Sequence, residues 1–332
     1  MARLYNWYNQ NMKLGYIGLG KMGKNMVFRM LEKQVGVVVW NRSPEPVAEV
    51  VKAGAEAAKD FADLTAKLPA PRVVWLMLPA GEVVDEILEK LEPHLVPGDL
   101  VIDGGNAFYK DSIRRAKKLS GRQIKFMDIG VSGGPGGARN GACMMIGGEK
   151  NDFEKIEPLI KRLCAPGAYA YLGAVGAGHF AKMVHNGIEY GMMQAIAEGA
   201  GVLKRSGFNY DLSKVFEVYD RKSVIESRLV GWTAEVLREN PEMTGISSVI
   251  GQLGEGKWTV ITARELGVPT PVISAALKVR DDSDTEPDEK FSNKIVSALR
   301  GKFGGHNVQN AVEGSSQGPN SMASGGPQEP RG

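Results

Sequence analysis

A chain of 332 residues, 43% of them hydrophobic and 24% charged, can bury a large core and is expected to hold two domains rather than one. Its 41 lysines and arginines against 38 acids leave a formal charge of +3 with no long basic run, which argues against a nucleic-acid partner and suits small anionic substrates. Cys143 and Cys164 form no CxxC pair and read as core thiols in a reducing compartment. No apolar span of 18 residues and no secretory h-region is present, so no membrane partner is expected and the protein is expected in the cytoplasm.

Residues 1–12 carry no evident design and read as an extension. From Lys13 onward short apolar runs alternate with helical stretches: Leu14 to Ile17, Val35 to Trp40, Val73 to Leu78, Leu100 to Ile102 and Ile124 to Ile129. That rhythm predicts βαβ units around a parallel sheet, with Cys143 to Ile146 and Ala168 to Leu172 as possible edge strands. The strand signal stops near residue 175. Helical segments then follow at about 178–206, 212–240, 254–266 and 270–280. The chain thus divides into a Rossmann-type α/β dinucleotide-binding domain over 13–175 and an all-helical domain over 176–307. From 308 to 332, Gly, Ser, Pro, Gln and Asn predominate, and such a tail cannot bury enough apolar surface to offset its ordering entropy, so disorder is expected.

The first apolar run leads directly into Gly18-Leu19-Gly20-Lys21-Met22-Gly23 and then a helix-like stretch. A lone GxGxxG is weak, but strand, glycines and helix in this order bring backbone N–H groups and a helix N-terminus to a pyrophosphate. After the second strand, where an acid would hold the ribose hydroxyls of NAD, stand Asn41-Arg42-Ser43, and a guanidinium with a hydroxyl favours the 2′-phosphate of NADP over NAD.

The densest polar signal lies in Lys182, His185, Asn186, Glu189 and Tyr190, spaced i, i+3, i+4, i+7 and i+8. On a helix these five share an arc of roughly 140°, the place of an ordinary apolar stripe. A merely solvated face is the plainer explanation. It fits poorly with the Gly176-Ala177-Gly178 entry and the apolar sequel from Gly191 to Ala197. A lysine and a carboxylate two turns apart among imidazole, amide and phenol groups suit acid/base chemistry on a polyhydroxylated anion. The histidines His94, His179, His185 and His306 are scattered, so no metal site is expected; His179 reads as a structural residue and Asp103 as a brace for Gly104-Gly105.

Together with Asp103-Gly104-Gly105-Asn106, Val131-Ser132-Gly133-Gly134, Gly254 to Thr259 and Arg300 to His306, these motifs resemble 6-phosphogluconate dehydrogenase (decarboxylating), in the short form whose helical domain is not duplicated. The wider β-hydroxyacid dehydrogenase superfamily shares the glycines, Ser132-Gly133-Gly134, Lys182 and Asn186. The resemblance implies oxidation and decarboxylation of 6-phosphogluconate to ribulose 5-phosphate with reduction of NAD(P), in the pentose phosphate pathway and gluconate utilisation. It implies Lys182 as base and Glu189 as acid. Asn106, Ser132, Gly133, Gly134, His185 and Asn186 would hold the carboxylate and hydroxyls, and Tyr190, Arg280, Arg300 and His306 the phosphate end. The cofactor would meet Gly18 to Gly23, Asn41 to Ser43, Leu78, Pro79 and Asn106. Arg300 and His306 would act in the partner's site of a homodimer. Two positions depart from the family pattern: Leu253 stands where a phosphate-binding lysine is expected, with Lys257, Ser247 and Ser248 as possible substitutes, and Pro79 replaces a lysine of the cofactor loop. The competing functions are a non-decarboxylating 3-hydroxyisobutyrate-type dehydrogenase and a redox-sensing binding module.

Overall fold

The computed structural model describes residues 12–285, 290–305 and 308. The chain divides into two compact units between Met183 and Val184. The first is built on an eight-stranded sheet in the order β3-β2-β1-β4-β5-β6-β7-β8. Its strands are β1 (Lys13–Ile17), β2 (Gly36–Trp40), β3 (Glu56–Ala57), β4 (Val73–Leu76), β5 (Leu100–Asp103), β6 (Lys125–Ser132), β7 (Ala142–Gly147) and β8 (Cys164–Gly173). All neighbours are parallel except β6 and β7, so the two edge strands expected from apolar runs are present and one of them reverses the sheet direction.

The period of two along the strands sorts side chains into two cores. Tyr16, Val37, Val39, Trp75 and Ile102 pack on one face, whereas Ile17, Val38, Val74, Leu76 and Val101 pack on the other. A sheet covered on both faces explains why β2, β4 and β5 read as unbroken apolar runs instead of alternating ones. Met12 belongs to this packing, since its side chain is buried and its carbonyl accepts the Gly36 N–H. Cys164 is buried, but Cys143 is exposed, against the expectation of two core thiols. The reason is alternation: on β7 Ala142 and Met144 point inward, so Cys143 between them points out.

In this unit each parallel strand is followed by a helix. Those used below are α1 (Lys21–Glu32), α2 (Pro44–Lys52), α3 (Phe61–Ala66), α4 (Glu82–Leu91), α5 (Tyr109–Ser120), α6 (Gly134–Asn140) and α7 (Lys150–Leu163). The long helix α8 (Ala177–Arg205) runs through the division into the second unit. There α9 (Leu212–Tyr219), α10 (Arg228–Glu239), α11 (Glu255–Glu265), α12 (Pro271–Thr285) and α13 (Phe291–Gly304) follow. Their core holds Met193, Ala197, Phe216, Leu237, Ile295 and Leu299.

The single helix expected over 212–240 is two helices. Lys222 takes a positive φ of 60°, and Ser227 then restarts the helix as an N-cap whose side chain accepts the Val230 N–H. Residues 220–227 are polar except for Val224 and Ile225, both exposed, so no apolar stripe joins the two helices. Among the described residues no helix is long and apolar enough to cross a membrane. The Arg300 end of α13 is described, whereas His306 and the expected tail from 309 onward lie outside the described residues.

Candidate active site

In the first unit the sequence-predicted cofactor residues gather where the parallel strands end. Ile17 closes β1 and Gly18 turns with φ +101°, a conformation that favours glycine, and a Cβ there would lie 2.3 Å from the Met77 carbonyl oxygen. Gly23, on the first turns of α1, packs so tightly that a Cβ would meet the Gly18 carbonyl oxygen at 2.1 Å. Gly20 between them has nothing within 4 Å of its Cβ position. One glycine for the turn, one for close helix packing and one facing open space is the division of labour a pyrophosphate cradle requires. Gly20 is the N-cap of α1, whose first turn carries no acidic residue, so the positive end of the helix is available to an anion.

Asn41, at the end of β2, braces this loop: its Oδ1 accepts the Leu19 N–H at 2.9 Å and its Nδ2 donates to the Ser43 carbonyl at 2.9 Å. Arg42 and Ser43 beside it are exposed. Leu78 is half-buried and Pro79 exposed in the segment after β4, and Asn106 follows β5. Asp103 performs the bracing role expected of it. Its Oδ1 accepts the Gly105 N–H at 3.1 Å, and its other oxygen faces buried Arg115 at 3.5 Å. Ser132 ends β6, Gly133 follows at φ +112°, and Gly134 opens α6. Among the described residues no group of three or more His, Cys, Asp or Glu side chains could hold a metal ion.

The start of α8 is seated by groups that the sequence reasoning missed. Buried Asp128 on β6 accepts the N–H groups of Gly176 and His179, each at 2.7 Å, and so satisfies two donors that a helix start leaves without partners. The His179 ring is 1% exposed, with Nδ1 2.7 Å from the Ser112 hydroxyl. Gly130 lies directly beneath Lys182, since a Cβ at Gly130 would fall 2.3 Å from the Lys182 Cβ. An aspartate in an otherwise apolar strand, Met127-Asp128-Ile129, was the available signal.

In the second unit α8 carries His185, Asn186, Glu189 and Tyr190 onward from Lys182 at the spacing the sequence predicted. Asn186 Nδ2 donates to Glu255 Oε1 at 3.1 Å, which turns its Oδ1 toward His185 Nδ1 at 2.9 Å. An amide oxygen facing the ring requires the proton on Nδ1, so the tautomer follows from the amide's orientation. His185 Nδ1 also lies 3.9 Å from Glu189 Oε2. Glu255, buried at the start of α11, is a site residue that its motif alone does not single out.

Close helix contact sets this arrangement. A Cβ at Gly187 would meet Thr259 at 2.7 Å, and one at Gly256 would meet the Tyr190 ring at 2.4 Å. Arg280, 3% exposed, lies over the Tyr190 ring with its guanidinium carbon 3.3 Å from the centroid. Burial, helped by the Glu255 carboxylate, pushes the Tyr190 phenol up to about 12. Burial likewise lowers the pKa of Arg280 and of Arg300, and each remains within electrostatic reach of Tyr190, Glu255 and Glu189. The Arg300 guanidinium packs against Gly251, 2.9 Å from where a Cβ would stand. Within the chain its neighbours are Gly251 and, electrostatically, Tyr190, Glu255 and Glu189. Ser248 is buried, whereas Leu253 and Lys257 are exposed.

Comparison with known proteins agrees with this geometry. The profile described as the NAD binding domain of 6-phosphogluconate dehydrogenase matches residues 13–176, and that of the 6-phosphogluconate dehydrogenase C-terminal domain matches 178–313. A Bacillus subtilis protein, YqeC, provisionally named a 6-phosphogluconate dehydrogenase, is 43% identical over 295 residues, covering 89% of this chain and 98% of its own. The NAD(+)-dependent, decarboxylating 6-phosphogluconate dehydrogenase of Haloferax volcanii is 39% identical over 299 residues, covering 90% and 98%. The structure of Plasmodium falciparum 6-phosphogluconate dehydrogenase, studied apo, with NADP+ and with 6-phosphogluconate, superposes with a TM-score of 0.75 at 33% identity, covering 86% of this chain and 70% of that one. The chain belongs to the 6-phosphogluconate dehydrogenase family.

Proposed function

We propose, from that membership, that this chain oxidises and decarboxylates 6-phosphogluconate to ribulose 5-phosphate with NADP or NAD, as a pentose phosphate enzyme of the cytoplasm. The observation that carries the reading is one continuous helix, α8, which presents Lys182, His185, Asn186, Glu189 and Tyr190 at one-turn spacings. The glycine cradle of Gly18, Gly20 and Gly23, with Leu19, Lys21, Met22, Asn41, Arg42, Ser43, Leu78, Pro79 and Asn106 around it, fits a dinucleotide, which when bound supplies the hydride acceptor for C3 of the sugar acid. Exposed Arg42 and Ser43 with no carboxylate after β2 favour NADP.

Lys182, neutral at the outset, takes the C3 hydroxyl proton as the hydride leaves, and the product is a β-keto acid. The protonated Lys182 then donates to the new carbonyl oxygen, which draws in the electron pair released when the C1 carboxylate departs as carbon dioxide. Glu189 delivers a proton to the resulting enediol carbon. Its carboxyl is positioned by the row His185, Asn186 and Glu255, and that row, with Asn106, Ser132, Gly133 and Gly134, holds the carboxylate and hydroxyls. Arg280, Arg300 and Tyr190 form an anion site for the phosphate, with His306 an added contact. Buried Arg280 and half-buried Arg300 remove the need for the lysine that Leu253 replaces. Exposed Ile188, Met192, Val202 and Val272 on the helical unit support a homodimer.

The test is a panel of sugar acids, gluconate and 6-phosphogluconate included, run with both cofactors while reduced cofactor and carbon dioxide are measured. Equal yields of both products from 6-phosphogluconate are expected. Lys182→Met should lower both by about 10²-fold to 10⁴-fold or more. Cofactor reduction without carbon dioxide would instead establish a non-decarboxylating β-hydroxyacid dehydrogenase.

A further inference from the structure

We propose that α5 is a strut that holds the cofactor-facing turn at Gly105 and the Lys182-bearing start of α8 at one fixed separation, with Arg115 and Ser112 as its positioning residues. The proposal rests on the assignment of Asn106 to the bound cofactor and substrate and of Lys182 as the base, and it adds what sets the distance between hydride acceptor and base.

Asp103 and Asp128 stand side by side as register partners on the parallel strands β5 and β6, and both are buried. Each turns its carboxylate onto backbone N–H groups of a functional segment. Asp103 Oδ1 accepts the Gly105 N–H at 3.1 Å, just before Asn106, and Asp128 accepts those of Gly176 and His179 at 2.7 Å, the latter one turn before Lys182. Residues in register on neighbouring strands face the same side of the sheet. That side is covered by α5, whose Leu119 packs in one core with Val101 and Phe126, the residues two before each aspartate. Ser112, Arg115 and Leu119, spaced i, i+3 and i+7, form the buried edge of α5, each 0–1% exposed.

Two polar groups on that edge reach the two segments. Arg115 donates from Nε and Nη2 to Asp85 at 3.2 and 2.9 Å and from Nη2 to the Gly81 carbonyl at 2.9 Å, while its Nη1 lies 3.5 Å from Asp103 Oδ2. One cation thus joins the segment after β4, which carries Leu78 and Pro79, to the turn after β5. One turn earlier on α5 the Ser112 hydroxyl lies 2.7 Å from His179 Nδ1, and the other ring nitrogen has no hydrogen-bond partner among the described residues, so Ser112 fixes the ring. Apolar contacts seat the same end: Tyr109 meets Phe180 edge-on with centroids 4.9 Å apart, and Ile113 stands 2.9 Å from where a Cβ at Gly176 would lie. Burial keeps Ser112, Arg115 and His179 from touching a substrate, so they act through Asn106 and Lys182. Apolar packing alone is non-directional and would let α5 slide, whereas hydrogen bonds at both ends set its position. Reacting atoms must approach to about 3–3.5 Å, and a slip of about 1 Å costs on the order of 10²-fold in rate.

Kinetics of the full chain test this. Ser112→Ala removes the hydroxyl from α5 and leaves its apolar packing. Expected are a kcat on 6-phosphogluconate lower by about tenfold or more, an unchanged dinucleotide Kd, and a larger isotope effect from deuterium at C3, because hydride transfer becomes the slow step. Ser112→Thr, which keeps the hydroxyl, should recover most of the loss. Ser112→Cys, a weaker donor of similar size, replaces Ser112→Ala if that chain fails to fold. At the other end Arg115→Lys keeps the charge but cannot fork to Asp85, Gly81 and Asp103 together, so kcat should fall and dinucleotide Kd rise, each by about tenfold. In the double variant the two losses in kcat should combine to less than their product, as residues of one positioning unit do. The proposal is overturned by a lowered Tm with wild-type kcat and isotope effect in Ser112→Ala, by a loss that Ser112→Thr does not recover, or by losses that multiply in the double variant. Release of carbon dioxide from 6-phosphogluconate by the wild type decides the parent reading by itself, and the variants are compared with the wild type on whichever hydroxy acid it oxidises.

Discussion

Gly130→Ala is the sharpest perturbation of the proposed base, because it adds one carbon beneath Lys182 and removes no polar group. The new Cβ would stand 2.3 Å from the Lys182 Cβ, 2.9 Å from its Cγ and 3.1 Å from the Gly178 carbonyl oxygen. Ordinary carbon contacts are about 3.5 to 4.0 Å, so the shortfall is more than about 1 Å. Rotation of the lysine cannot relieve it, since a Cβ moves only with its backbone. The start of α8 must therefore shift, although Asp128 pins it through two 2.7 Å hydrogen bonds and Ser112 holds His179. Overpacking of this kind costs roughly 1–3 kcal/mol of stability. A displacement of about 1 Å at a catalytic group costs on the order of 10²-fold in rate. Steady-state kinetics with 6-phosphogluconate, cofactor titration by fluorescence and thermal unfolding should show kcat down by about that factor. Cofactor affinity should be unchanged, because the Gly18 to Gly23 turn and Asn41 are not displaced. A variant with wild-type kcat and a lowered Tm would refute the claim that Gly130 positions the base.

Three further expectations concern the first unit. Gly20→Ala meets no atom within 4 Å, so Tm should hold while dinucleotide Kd rises by about tenfold or more; equal Kd would remove Gly20 from the cradle. At Asp85 burial raises the pKa, but hydrogen bonds from Arg115 and Arg114 outweigh it and hold the carboxyl at about 2, below its ordinary 3.8. A lowered carboxyl pKa stabilises the fold above the unfolded value and loses that contribution as pH falls toward 2. Asp85→Asn should therefore cost about 1 kcal/mol at pH 7 after discounting for partial exposure, a gap that urea titrations should find closing in acid. Finally, the Cys164 thiol, pushed up to about 12 by burial, should resist a thiol reagent at pH 8 while exposed Cys143 reacts. Cys143→Ser should abolish the fast phase, and a remaining fast thiol would contradict the burial of Cys164.

Local chemistry made much of this protein readable from its sequence. Gly18, Gly20 and Gly23 mark a strand-to-helix turn because backbone conformation and the need for absent side chains are properties of single residues in order. Lys182 to Tyr190 declared one helix face because helical period is a property of spacing. The strands of the doubly covered sheet were visible because both their faces are apolar, and alternation that hides Ala142 also exposes Cys143, which residue type alone misassigned. The break at 220–227 was legible in part, since that stretch is polar except for exposed Val224 and Ile225, but the positive φ of Lys222 and the capping side chain of Ser227 that end and restart the helix are backbone facts. What linear order could not contain were meetings across the chain. Asp128 accepts the N–H of Gly176, 48 residues later, at the entry to a helix, Glu255 anchors Asn186 from 69 residues away, and Gly130 makes room for Lys182. The place of Arg300 belongs to the same class. Its motif announced a substrate contact, and the structure adds that Ile295, Val296 and Leu299 seat its helix in the core of the second unit, because burial is a relation among distant residues and not a property of any one.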